Sequence, residues 1–143
     1  MALIWVTQLS VRNAMLDSEH KSLIGMVNNI EYAIGAKDGS ALLKTIKLFE
    51  DEANTHFANE ARFAQSFNFH FEQHDLAHLR FQEELRQKTD ELAAGIDSAG
   101  VGAWPEHVFG FPQFLGDWLV GHIICDDMKM KPVLQSLPYN FVA

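Results

Sequence analysis

Five of the seven histidines in this 143-residue chain, His20, His56, His74, His78 and His122, stand where helical periodicity places core residues. His74 and His78 are four apart, so both imidazoles leave one helix face and can meet at one ion. His56 and Glu60 repeat that spacing in the preceding segment, and His20 and His122 each add a ligand from a further segment. Asp126 and Asp127 follow His122 closely. A single buried imidazole is easily tolerated, but this many buried polar groups need partners or a metal. Imidazoles mixed with carboxylates suit iron better than calcium or magnesium, which prefer oxygen shells. They are too many for one tetrahedral zinc. Two ions bridged by carboxylates would use the whole set and leave room for an outside ligand.

Blander readings weigh against single residues more than against the set. One histidine on an apolar stripe, such as His20 alone, is more often a hydrogen-bonded core residue. Four segments that each bring a ligand type to a core position are hard to explain in that way. His70 extends the His74 and His78 ladder but lies beside the turn at Asn68, so it is expected exposed; His107 is expected solvated. Cys125 reads as a small buried apolar residue, and the stretch from Met128 to Met130 as packing. Helix geometry leaves the last carboxylate open. At about 100° per residue, Asp126 lies roughly 40° from His122 and Asp127 roughly 140° away, so bare periodicity points to Asp126.

The elements that must position these groups are helices. The first stripe runs Leu16, His20, Leu23, Val27, Ile30, Ile34, alternating steps of four and three. Asp17 or Ser18 could cap it, and Gly35 or Gly39 with Lys37 could close it. The second is Leu42, Ile46, Phe49, Ala53, His56, Glu60, Phe63, Phe67, with Ser40 as cap. The third is Phe71, His74, His78, Phe81, Leu85, Leu92, ending near Gly95. The fourth is Phe111, Leu115, Trp118, His122, Cys125, closing around Pro132. Short connections make sequential helices antiparallel neighbours. The expected fold is all-α, an up-down-up-down antiparallel four-helix bundle with an N-terminal arm, in one domain over residues 1–143. The connection from Gly95 to Gly110, with Gly100, Gly102, Trp104 and Pro105, is long enough to suggest a functional or disordered loop.

Hydrophobic residues make up 48% and charged residues 21%, an ordinary globular balance. A formal net charge of −8 argues against nucleic acid or an anionic membrane as partner. The lone Cys125 excludes an intrachain disulfide and fits a reducing compartment. The apolar run from Ala2 to Val6 is too short for a signal peptide or membrane span, so the cytoplasm is expected.

The ordered set His20, His56-Phe57 with Glu60, His74 and His78, then His122 with Asp127, resembles the hemerythrin family, over almost the whole chain. Trp5 in the arm, Asp17-Ser18-Glu19-His20 and Trp118-Leu119 before His122-Ile123 extend the likeness. The resemblance selects Asp127, five after His122, over Asp126. It implies that His74, His78 and His122 hold a coordinatively full iron, and that His20 and His56 hold one with an open position. Glu60 and Asp127 would bridge the two iron ions together with an oxo or hydroxo group. Leu23, Phe57, Trp118, Leu119 and Ile123 would form the apolar wall of the oxygen pocket, and Phe81 matches another core aromatic. Two departures stand out: the turn that usually carries Tyr-Pro reads Phe67-Asn68-Phe69 and is one residue shorter, and Glu19 replaces the usual Gln.

The implied function is reversible dioxygen binding, as carrier, store or delivery protein, and not principally an enzyme. Small anions such as azide would bind the oxidised site, and a protein recipient of oxygen is possible. The alternatives are a diiron oxidase or peroxidase and a nitric-oxide- or oxygen-sensing protein. Carboxylate-rich diiron oxygenases use Glu-x-x-His pairs. The nearest approaches here are Asp17 to His20 and Asp75 to His78, and a histidine-rich shell fits carriage better than oxygen cleavage.

Overall fold

Each of the four stripes becomes a helix that turns its apolar face inward. The computed structural model describes residues 2–99 and 104–143. Its long helices are α1 (Ala14–Gly35), α2 (Gly39–Ser66) and α3 (Glu72–Ala99); a single-turn α4 (Glu106–Phe109) then leads into α5 (Phe111–Cys125). A 3-10 turn, Asp127–Met130, and the short α6 (Lys131–Leu134) follow. The described residues contain no strand. α1 packs on α2 and α5, and α2 on α3. α3 and α5 meet through rings, Phe81 stacking on Trp118 at 3.6 Å. The result is a four-helix bundle.

Local chemistry fixes the turns. α1 closes with Lys37 at φ 54°, and the turn after α2 holds Asn68 at φ 52°. Asparagine takes this left-handed conformation at low cost, which lets the chain reverse between α2 and α3. The N-terminal arm lies along the bundle. The Leu3 backbone and the Asn28 side chain exchange two hydrogen bonds of 2.8 and 2.9 Å. Gly116 lets the arm close on α5: a Cβ there would meet Leu3 Cδ1 at 3.0 Å.

Several boundaries differ from the sequence expectation. α1 starts earlier, capped by Asn13, whose side chain accepts from Leu16 N at 3.1 Å. Asp17 is instead buried in its first turn. Asp38, not Ser40, caps α2 by accepting from Ala41 N. α3 runs through Gly95 to Ala99; a mid-helix glycine costs only about 1 kcal/mol, which neighbouring packing offsets. The long connection is therefore shorter than expected and partly helical. Trp104 within it is buried, touching the start of α2 near Gly39, while Gly100 and Gly102 lie outside the described residues. α5 ends at Cys125, before Pro132, which sits in the first turn of α6, where its missing N–H is no loss. Cys125 is exposed rather than buried, at the last residue of α5.

Within Glu106–Leu134, an 18-residue window reaches a mean hydropathy of 1.2, and the stretch has the length of a membrane span. It is not one continuous α-helix: it breaks at Gly110 and again at Asp126. Its buried polar groups, His122 and Asp127, face the bundle core. It reads as the fourth core helix.

Candidate metal centre

Midway along the bundle the apolar stripes give way to a polar layer. His20 on α1, His56 and Glu60 on α2, His74 and His78 on α3, and His122 on α5 are all buried, as is Asp127. The helical step of four puts each pair on α2 and α3 on one face, one turn apart. Asp127 arrives differently. The backbone at Asp126 departs from helical values (φ −116°, ψ −56°), and the following 3-10 turn swings the next residue inward. The regular-helix argument for Asp126 fails because the helix has ended by then. Asp126 does stay one turn below His122, where its Oδ2 accepts from the outer Nδ1 at 2.9 Å.

The donors fall into two groups whose atoms lie within 4.8 Å of one another: Glu60, His74, His78, His122 and Asp127; and His20, His56, Glu60 and Asp127. Both carboxylates belong to both groups. All seven expected ligand positions are thus brought together, while His70 and His107 are exposed.

The fit to cations shows in the contacts. His122 Nε2 lies 3.1 Å from His74 Nε2 and 2.8 Å from His78 Nε2. Asp127 oxygens approach His20, His74 and His122 at 2.9, 2.9 and 3.0 Å. Glu60 oxygens approach His56 and His74 at 2.6 and 3.1 Å. Donors at right angles around an ion with bonds of about 2.1 Å sit about 3.0 Å apart. The approaches of the carboxylates to the imidazoles are not ordinary hydrogen bonds, since His20 Nε2, His56 Nε2 and both oxygens of Glu60 and Asp127 are buried without a partner of hydrogen-bond geometry. Buried polar atoms left so are costly, and a shared cation resolves the cost for all of them.

Electrostatics point the same way. Burial opposes a charge on His56, but Glu60 beside it and the Glu19 hydrogen bond prevail and lift its pKa to about 10. His74 is likewise raised to about 9, against burial, by Asp127 and Glu60. His78 is pushed down to about 2 by burial and by the neighbouring His122 and His74. Asp127 stays well below the usual carboxylate range despite its burial, because His122, His20 and His74 face it. The carboxylates thus gather positive charge between them, and a metal must displace the protons of His56 and His74 to bind.

Aromatic rings enclose the layer. Phe57 stacks on His78 at 3.9 Å, Trp118 on His122 at 4.5 Å, and Phe71 lies 4.4 Å from His74. Leu23, Leu119 and Ile123 are buried in the same apolar cluster as Phe57, with half-buried Trp118 against it. Sequence reasoning missed the outer partners. Glu19 faces His56 Nδ1 at 3.1 Å and accepts from Asn59 at 2.6 Å, and Asn59 in turn accepts from Arg62. Glu19 is held below its usual pKa, the His56 and Asn59 contacts overcoming burial. Its one signal in the sequence is the charged residue in place of the usual Gln.

The family model described as Hemerythrin HHE cation binding domain matches residues 12–134. A Bacteriohemerythrin of Pseudomonas aeruginosa is 27% identical over 125 residues, which cover 87% of this chain and 76% of that protein. A Hemerythrin-like protein of Naegleria gruberi is 28% identical over 130 residues, covering 91% and 92%.

Proposed function

The chain belongs to the hemerythrin family, and from that premise we propose that it binds dioxygen reversibly at a pair of iron ions in the bundle core. The observation that carries the reading is the sharing of Glu60 and Asp127 by both donor groups, which suits two adjacent ions better than two separate sites. His74, His78 and His122 would hold one ion, and His20 and His56 the other, which would have fewer ligands from the protein. A pair of iron ions supplies the electrons for oxygen uptake and takes them back on release.

The protein's own residues do the rest. Five imidazoles to two carboxylates keep the donor set largely neutral, which favours the reduced metal and reversible chemistry over oxidation of a substrate. Leu23, Phe57, Trp118, Leu119 and Ile123 keep water and anions out, and the rings on His78 and His122 hold those imidazoles in place. An exposed, unpaired Cys125 suits the cytoplasm.

The test is iron counted per chain together with the spectrum of the reduced protein before and after oxygen. Two irons per chain and a persistent, reversible oxygen-dependent absorption are expected. His78→Ala should lower the iron content and His70→Ala leave it unchanged. Rapid irreversible bleaching with product release would instead mean an oxidase, and equal iron loss in both variants would mean that the ligands are misassigned.

A further inference from the structure

Two carboxylates touch the donor layer from outside, one behind each group. His20, His74 and His78 leave Nδ1 buried with no hydrogen-bond partner. His56 and His122 differ: Glu19 Oε1 lies 3.1 Å from Nδ1 of the first, and Asp126 Oδ2 lies 2.9 Å from Nδ1 of the second. In both rings Nε2 faces the converging donors, so Nδ1 carries the proton and donates it outward. Each donor group therefore contains one imidazole backed by a negative charge.

Of the two, Glu19 is the more firmly held. Its side chain is 13% exposed against 27% for Asp126. Its second oxygen accepts from Asn59, which is fixed by Arg62, whereas Asp126 has only a distant Lys129 at 3.7 Å. A carboxylate behind a ligating imidazole draws on the Nδ1 proton and makes the ring a stronger donor, which favours the higher charge state of the metal. Little water reaches this spot to screen the charge. A glutamine would accept the His56 hydrogen bond through its one oxygen without the charge, while its amide nitrogen could not accept from Asn59.

We propose that Glu19, acting through His56, is a positioning residue that lowers the reduction potential of the iron at the His20 and His56 end, a proposal that rests on the diiron reading above. Glu19 thereby makes this site easier to oxidise than a glutamine would.

The experiment compares the iron-loaded chain with its Glu19→Gln and Glu19→Ala variants by mediated redox titration. Zinc-loaded samples report the His56 Nδ1 proton by NMR. Glu19→Gln should keep the iron content and the hydrogen-bonded proton, moved upfield. It should shift the reduction equilibrium at least tenfold toward the reduced form, about 59 mV for a one-electron couple. Glu19→Ala should shift the potential in the same direction and lose that proton's hydrogen bond. A Glu19→Gln potential within tenfold of the parent's overturns the proposal, whatever the alanine variant does, since the hydrogen bond rather than the charge would then matter. Loss of iron from Glu19→Gln overturns it too, by making Glu19 an assembly residue. A parent chain that takes up no iron pair fails the diiron reading itself, and that result is read before any variant is made.

Discussion

The polar layer divides the bundle into two apolar plugs that are built in different ways. The larger contains Leu23, Val27, Ile30, Ile46, Phe49, Phe81, Leu85 and Leu115, inward positions of the four long helices. The smaller contains Val11, Leu16, Phe63, Ala64, Met130 and Leu134, drawn from the arm, helix ends, the 3-10 turn and α6. The first closes chiefly by side-chain packing. The second has too little helix to do so, and a polar clasp makes up the difference. Asp17, buried, accepts from Val11 N at 2.9 Å, Ser10 Oγ at 2.6 Å and Tyr139 Oη at 3.0 Å. The tail is tied again by Ala14 N to Tyr139 O at 2.7 Å and Asn13 Nδ2 to Phe141 O at 2.8 Å. Where helices run out, directed hydrogen bonds substitute for buried area.

Three substitutions sharpen or break that contrast. The largest effect is expected at Phe49, 1% exposed in the larger plug. Phe49→Ala should cost about 3–5 kcal/mol in chemical denaturation, from lost burial and the cavity left behind. Asp17→Ala should cost less, about 1–3 kcal/mol, chiefly because the buried Val11 N–H loses its acceptor. It should also speed proteolysis of the tail after Ser136, which Phe49→Ala at equal stability should not. If the tail of the Asp17 variant resists protease like the parent's, the clasp is not what holds that end. The smallest effect belongs to Tyr139→Phe, about 0.5–1.5 kcal/mol, since Asp17 keeps two donors. A loss as large as that of Asp17→Ala would mean that the tyrosine carries the clasp and the arm adds nothing.

The same contrast explains what could be read from the chain. The larger plug and the ligand-bearing stretches of α1, α2, α3 and α5 were legible, because each repeats at the helical period and neighbours in space are neighbours on one stripe. The smaller end was not. Asn13 caps α1 while holding Phe141 at a separation of 128 residues, and no local pattern announces such a contact. Asp17 was read as a cap because an acidic residue at a helix start usually is one; its burial depends on Tyr139, far along the chain. Asp127 escaped the periodic argument because α5 ends before it, and only resemblance pointed there. Cys125 fell on the expected stripe but at its last residue, where α5 ends and the chain turns, and it is exposed. Glu19 was visible as a residue out of pattern, yet its partner His56 lies 37 positions away.

Asp127 is the only one of the seven expected ligand positions that does not lie in α1, α2, α3 or α5. It belongs to a short 3-10 turn next to the clasped tail, packed on the smaller apolar plug. Local opening events draw on such segments first, at a fraction of the free energy of global unfolding. Fraying from this end would release one shared carboxylate from both donor groups at once while α1, α2 and α3 stay wound. Metal entry and exit would then follow the breathing rate of the tail and not the lifetime of the fold, so a very stable bundle could still exchange its ions quickly.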